Sequence, residues 1–441
     1  MPRSRITNTH SSYLTAVVAN ARGEIFDLEG YAAIGRADQK LVPLTIENTQ
    51  AVDHGAELMY LPDRRPVVLN LRTGCMQTLS ANPYQPHEPV HPVAVFNSPG
   101  YVNCYLSAYH EIRRAGPLPL FSYGAAGWHA GRFRSAVVQV DSEPRQDLRL
   151  MNMKDVRAGI ERTRHQLPAN RLVRHLERCA TIYGCPAAKN FFLERYEAPL
   201  PTARSCNAHC LGCLSSQTGS SIPHSQDRID FTPTPEEIAE VALHHIQHVE
   251  NSIVSFGQGC EGDPLLAADV ITSAIGMIRS VTADGTINVN TNGSLPGVLD
   301  RLLDAGLDSI RISMNSVRKD QYCAYFRPRG YHFEDVLASI ELAVARGRFV
   351  SINYLNCAGF TDSEKEAAAL IEFIDHYGLH MIQWRNLNYD PLAYWKKMTD
   401  AGPSGQPVGM RNLLVRVRKA FPELLCGYFN PPKERFGGSS G

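Results

Sequence analysis

The sequence predicts an α/β protein: a parallel sheet closed into a partial (β/α)6 TIM-like barrel, preceded by an N-terminal α+β domain. The first observation is a regular alternation. Apolar strand-like runs at SIVSFG (252–257), INVNTNG (287–293), SIRISMN (309–315), VSINYLN (350–356) and HMIQWRNLN (380–388) are separated by helix-like segments at 265–280, 296–305, 334–347 and 363–377. Strand, helix, strand at this rhythm implies right-handed crossovers and parallel pairing. The second is a further strand expected just before RSCNAHCLGC, which brings the count to six strand–helix units. The third is size: 441 residues with 44% hydrophobic content suit a globular chain of two or three domains.

Composition narrows the function class. Forty-four basic residues balance 44 acidic ones, so no global field draws the chain to nucleic acid or anionic lipid. Apolar runs near the start, such as YLTAVV, are far short of a membrane-spanning helix. The expectation is a cytoplasmic protein with neither a nucleic-acid nor a membrane partner. Eleven scattered cysteines do not resemble a disulfide framework and point to metal binding or burial.

Residues 1–150 carry short β-branched runs broken by Pro and Gly, including 66–70, 91–102 and 133–147, with a helix expected at 104–115. Residues 151–198 read as a helical connector, with Val156, Ile160, Leu172 and Leu176 at helical intervals. Cys179 and Cys185 fall at its end, read as buried thiols, with a second cluster as the alternative. The barrel core is assigned to 199–392. Within it a polar stretch at 214–233 reads as a functional loop. The next helix begins at Thr234, with Pro235 in its first turn and Glu237 placed for a capping box. Residues 393–441 are expected to be a helical extension and tail.

The chemistry concentrates at Cys206, Cys210 and Cys213, spaced C-x-x-x-C-x-x-C. Three thiolates this close suit a soft metal centre and leave one position of a four-site cluster unligated. A zinc knuckle competes, but it requires a fourth ligand, and His209 lies inside the triplet, too close to serve easily. The triplet resembles the cluster loop of the radical S-adenosylmethionine (radical SAM) enzymes. That resemblance, which covers about 201–390, implies a [4Fe-4S] cluster on the three cysteines, whose fourth iron chelates S-adenosylmethionine. It also implies one-electron cleavage to a 5'-deoxyadenosyl radical for hydrogen abstraction, fed by a flavodoxin- or ferredoxin-type donor. GQGCEGDPLL (257–266) resembles the family's G-G-E-P motif, with Gly262, Asp263 and Pro264 at the cofactor and Asp263 in place of the usual Glu. The family's use of polar strand ends extends the cofactor site to Thr291, Asn292, Ser313 and Asn315. Strand alternation points Arg311, Ser313 and Asn315 to the barrel interior. One departure is Gly212, where the family carries an aromatic beside the adenine.

No residue is assigned to catalysis itself. A small-molecule or peptide substrate, anionic in character, is expected at Arg327 and Arg329 in YCAYFRPRGY and at Trp384, Arg385 and Asn388 in WRNLNYDP. Guanidinium groups bind carboxylates and phosphates through a planar donor fork. Two other readings remain open: a zinc-binding barrel scaffold, and an acid–base barrel enzyme using Glu261 and Asp263.

Overall fold

The structure, a computed structural model, describes residues 12–215 and 224–436. Part of the polar loop after Cys213 and the final residues of the tail lie outside them.

The N-terminal part is antiparallel β-structure. Its longest strand, Ile25–Ala37, pairs with Thr15–Ala19 along its first half and with Lys40–Pro43 and Arg64–Asn70 along its second. His91–Phe96 and Gly124–His129 pair with each other, and each also pairs with Thr15–Ala19, within a 12-stranded sheet. The helix expected at 104–115 is not there. Leu106–Ser107 and Tyr109–Glu111 are strands paired to Ile25–Ala37 and Arg64–Asn70. Sheet pairing on both sides outweighs a helical pattern of one or two turns, because propensity is a weak prior against tertiary context.

Three helices lie between this sheet and a second, parallel one: α1 (Met153–Gln166), α2 (Arg171–Thr181) and α3 (Pro186–Phe192). Asn152 and Asn170 cap the first two by accepting from Lys154 N and Val173 N, and Val156, Ile160, Leu172 and Leu176 form the buried stripe. Gly159 lets α1 and α3 meet, since a Cβ there would lie 1.9 Å from the Phe192 carbonyl oxygen.

The parallel sheet runs in sequence order: β1 (Glu197–Pro199), β2 (Ile253–Phe256), β3 (Thr286–Thr291), β4 (Ser309–Met314), β5 (Phe349–Asn356), β6 (Met381–Asn386) and β7 (Leu425–Gly427). The helices between strands are α4 (Pro235–His248), α5 (Ala268–Val281), α6 (Pro296–Ala305), α7 (Lys319–Phe326), α8 (Phe333–Ala345) and α9 (Glu364–Tyr377). The C-terminal segment, expected to be helical, contains α10 (Pro391–Asp400) and α11 (Met410–Ala420) but also supplies β7, parallel to β6. Three residues of strand are too few to leave a legible pattern. The capping box at Thr234 and Glu237 is formed, with both reciprocal bonds present.

Alternation sorts the strands into two faces. Val254, Ile287, Val289, Ile310, Ile312, Ile352 and Ile382 are fully buried beneath the helices. The opposite, interior face is polar: Ser255, Asn288, Ser309, Arg311, Ser351, Asn353 and Gln383 lie in register across neighbouring strands. The stretch Pro264–Val281 is long and apolar enough to cross a membrane, yet Ile271, Ala274, Ile275 and Ile278 are fully buried, as a barrel helix requires.

The N-terminal sheet is fastened to the end of β6. Asn386 donates to the Tyr101 carbonyl at 2.7 Å and accepts from Asn103 N at 2.9 Å. Arg64, with its side chain 2% exposed, donates to the Gly116 carbonyl, Glu111 and Asp390, the last being the N-cap of α10. Removing one partner of a buried pair leaves the other charge without compensation. Arg64→Ala is therefore expected to lower unfolding stability by about 3–5 kcal/mol, measured by urea denaturation; a loss no larger than that of a surface substitution would show that the pair is not structural.

Candidate functional site

The cysteine loop leaves β1 and is fastened at several points to the C-terminal side of the barrel. The Glu261 carboxylate is the central clamp. One oxygen accepts from Thr202 N (2.8 Å) and Ala203 N (2.9 Å), the other from Gly257 N (2.7 Å) and Gln258 N (2.8 Å). Burial pushes its pKa up to about 7, while those four N–H groups favour the ionised form. Gly262 N donates to the Ala203 carbonyl at 2.6 Å and Asp263 N to the Ser205 carbonyl at 2.9 Å. Gly262 cannot be another residue without movement, because its Cβ would lie 1.8 Å from the Ser205 carbonyl oxygen.

Further along, Asn207 accepts from Asn292 Nδ2 at 2.7 Å and donates to Ser294 Oγ at 2.9 Å, joining the loop to the end of β3. His209 N and Leu211 N donate to the Phe326 and Tyr325 carbonyls at the end of α7, and Arg329 N donates to the Asn207 carbonyl. The Glu261, Gly262, Asp263 and Asn292 anchors are strand ends or the turns beyond them, where barrel folds place their sites, and the end of α7 closes the other flank.

Cys206, Cys210 and Cys213 are half-buried. Burial pushes the Cys206 thiol up to about 12, with Asp263 adding to the shift. Burial also raises Cys210 well above the usual thiol range, followed by the charges of Cys213 and Cys206. The thiols are thus electrostatically close neighbours, and Ala208 N donates to Cys206 Sγ at 3.4 Å. Three half-buried thiols on one short loop, one of them receiving an amide N–H, suit an iron–sulfur cluster with one open corner.

Gly262, Asp263, Pro264, Thr291 and Asn292 are brought together beside this loop. Asp263 accepts from Thr291 Oγ1 (2.7 Å), Asn292 N (2.7 Å) and Leu265 N (3.1 Å), so it ties the turn after β2 to the end of β3. Ser313 sits on the interior face in one row with Asn353 and Gln383. That row was missed: Asn353 Oδ1 and Gln383 Oε1 are buried with no hydrogen-bond partner. The signal was available, since both residues keep the parity of Ser313 in register. Unpaired buried oxygens on an interior face are what a polar ligand would satisfy.

Other residues are placed elsewhere than expected. Asn315 lies beyond β4 and turns under the helices, donating to the Gln321 carbonyl and Tyr394 OH at 3.2 Å, so it does not belong to the interior row. Arg311 is interior but bonds Asn430 of the C-terminal tail at 2.9 Å, and burial lowers its pKa to about 10. Trp384 has the opposite parity to Arg385; it is 1% exposed, packed edge-on against Tyr354, and cannot line a mouth. Arg385 lies 4.9 Å over the Tyr428 ring. Arg327 is exposed and donates to the His209 carbonyl from a left-handed backbone position, with Arg329 exposed next to it. The carbonyl of Asn388 presses on the cysteine loop: a Cβ at Gly212 would meet it at 2.7 Å and Tyr325 OH at 2.9 Å. The missing aromatic at 212 thus has a steric cause, and the half-buried Tyr389 stands beside the same glycine.

Comparison with known proteins gives matches to one family. The sequence description of the radical SAM superfamily matches residues 200–371. GTP 3',8-cyclase of Chlorobaculum tepidum is 23% identical over 222 residues, covering 50% of this chain and 60% of that protein. Molybdenum cofactor biosynthesis protein 1 of Drosophila melanogaster is 24% identical over 223 residues, covering 50% of this chain and 35% of that protein. The chain thus matches about a third to three fifths of the length of these relatives. Among solved structures, a radical SAM methyltransferase from Sphaerobacter thermophilus aligns at a TM-score of 0.36 and 17% identity, over 53% of this chain and 66% of that one.

Proposed function

We propose, given that residues 200–371 belong to the radical SAM superfamily, that the protein is an enzyme holding a [4Fe-4S] cluster on Cys206, Cys210 and Cys213 and abstracting hydrogen from an anionic substrate. The observation that carries this reading is the fastening of the cysteine loop to the strand ends through Glu261, Gly262, Asp263 and Asn207. Bound together, the cluster and S-adenosylmethionine supply reductive cleavage to a 5'-deoxyadenosyl radical.

The chain's own residues account for the rest. Asp263 sets the positions of Thr291 and Asn292, so the cofactor meets a prearranged strand end. Tyr389, whose Cβ stands beside Gly212, is assigned the aromatic contact that Gly212 cannot supply. The interior row Ser313, Asn353 and Gln383 presents hydroxyl and amide groups to the ligand, and Arg385 follows Gln383 on the same face of β6 as an interior cation not hydrogen-bonded to Asn430 as Arg311 is. Arg327 and Arg329 lie at the exposed margin of the cysteine loop and supply positive charge there. Nucleotides are the first anions to test, since a relative named GTP 3',8-cyclase aligns with half of this chain at 23% identity. The electron donor is of flavodoxin or ferredoxin type, and the setting is cytoplasmic. The acid–base reading lacks support, because the Glu261 and Asp263 oxygens are committed to backbone and Thr291 donors.

The test is anaerobic incubation of reconstituted protein with S-adenosylmethionine and dithionite, followed by mass spectrometry for 5'-deoxyadenosine. Its absence from a protein that carries about four irons would overturn the proposal. Zinc in the triplet in place of iron and sulfide would favour the scaffold reading. Asp263→Ala is expected to leave the iron content unchanged but weaken S-adenosylmethionine binding about ten- to a hundredfold, because Thr291 Oγ1 and Asn292 N lose the charged acceptor, worth about 1.5–3 kcal/mol, that holds them in place for the cofactor. Unchanged affinity by calorimetry would remove Asp263 from the cofactor site.

A further inference from the structure

We propose a second metal site, separate from the cysteine triplet, in which His175, Cys179 and Cys260 bind a zinc ion. One ligand atom from each residue lies within 4.8 Å of the other two. His175 and Cys179 stand one turn apart on α2, and their Nε2 and Sγ atoms are 3.5 Å apart. In a tetrahedral zinc site with Zn–S of about 2.3 Å and Zn–N of about 2.0–2.1 Å, the S–N edge is about 3.6 Å and the S–S edge about 3.8 Å. The observed pair already stands at that edge length.

Cys260 arrives from a different part of the chain, the turn after β2, directly before Glu261. Cys179 is 2% exposed and Cys260 5%, and the Phe231 ring meets the His175 imidazole edge-on. Two thiolates and one Zn2+ form a neutral group, which a buried pocket accepts far more readily than separate charges. The fourth tetrahedral position would be taken by a water molecule, which keeps the group neutral. Sulfur and imidazole ligands in tetrahedral arrangement select zinc. The ion would pin connector helix α2 to the turn that carries Glu261, and through Glu261 to the cysteine loop.

Metal analysis of the full-length protein tests this. Cluster-loaded wild type should contain about one zinc beside about four irons. The triple variant Cys206→Ala, Cys210→Ala, Cys213→Ala should lose the iron and keep the zinc. Adding His175→Ala to that background should reduce zinc to the level of a metal-free control. His175 is half-exposed on its helix, so this variant is expected to fold, and circular dichroism checks it; Cys260→Ser gives a second reading. X-ray absorption at the zinc edge of wild type should show sulfur and nitrogen scatterers together. The proposal is overturned if the triple variant neither retains nor takes up zinc, or if zinc survives His175→Ala combined with Cys260→Ser. Iron and sulfide at this site, or a Cys179–Cys260 disulfide in anaerobically purified protein, would overturn it equally.

Discussion

Cys206→Ala, Cys210→Ala and Cys213→Ala are each expected to abolish the cluster spectrum and, with it, all detectable 5'-deoxyadenosine. A methyl group cannot replace a coordinating thiolate, and a cluster with one open corner has no spare protein ligand. The three sulfurs are presented by a loop held at both flanks, by Glu261 and Asp263 on one side and by the end of α7 on the other. A lost ligand is therefore not replaced by loop rearrangement. Cys75→Ala, at an exposed thiol of the N-terminal sheet, serves as the control and should leave spectrum and product unchanged. Iron content, electron paramagnetic resonance after reduction and mass spectrometry read the result. Retention of the full cluster signal in any of the three alanine variants would refute the ligand assignment.

Glu261→Gln is expected to be strongly damaging although it is nearly isosteric. Each carboxylate oxygen accepts two backbone N–H groups. An amide offers one accepting oxygen, and its NH2 group would face the other pair of donors. Two buried N–H groups left without acceptors cost about 1–3 kcal/mol each, so the loss is about 2–6 kcal/mol. That loss falls on the junction between β1, the turn after β2 and the cysteine loop, so cluster occupancy should drop together with thermal stability. Thermal unfolding and iron per chain, measured on one preparation, test both. A Gln variant with wild-type melting temperature and iron content would show that the clamp is not needed.

Much of the barrel was legible because it is repetitive. Five of its strands and four of its helices lie within a few residues of the segments read from alternation, for instance Phe349–Asn356 against 350–356 and Pro296–Ala305 against 296–305. Local physics suffices where a run of apolar residues must be buried on one side and its length matches a strand or a helix. Residue chemistry likewise singled out the cysteine triplet and the glycine-bearing turn after β2, because few other patterns gather such donors in ten residues.

Tertiary structure decided what depends on partners distant in sequence. Whether 104–115 is helix or strand turned on the availability of Ile25–Ala37 and Arg64–Asn70 as sheet neighbours. The seventh strand, Leu425–Gly427, exists only because β6 offers an open edge. The same holds for the site. Parity along β6 separates Trp384 from Arg385, but which parity faces inward is set by where the helices pack. That Glu261 is a clamp rather than an acid–base group was decided by four backbone N–H groups from two separate chain segments. The sequence by itself determined the alternation that makes a barrel and the grouping of the thiols proposed to hold a cluster. Which polar side chains are spent on holding the loop, and which remain for a ligand, was decided only in the folded molecule, because a hydrogen bond has two ends and a sequence shows one at a time.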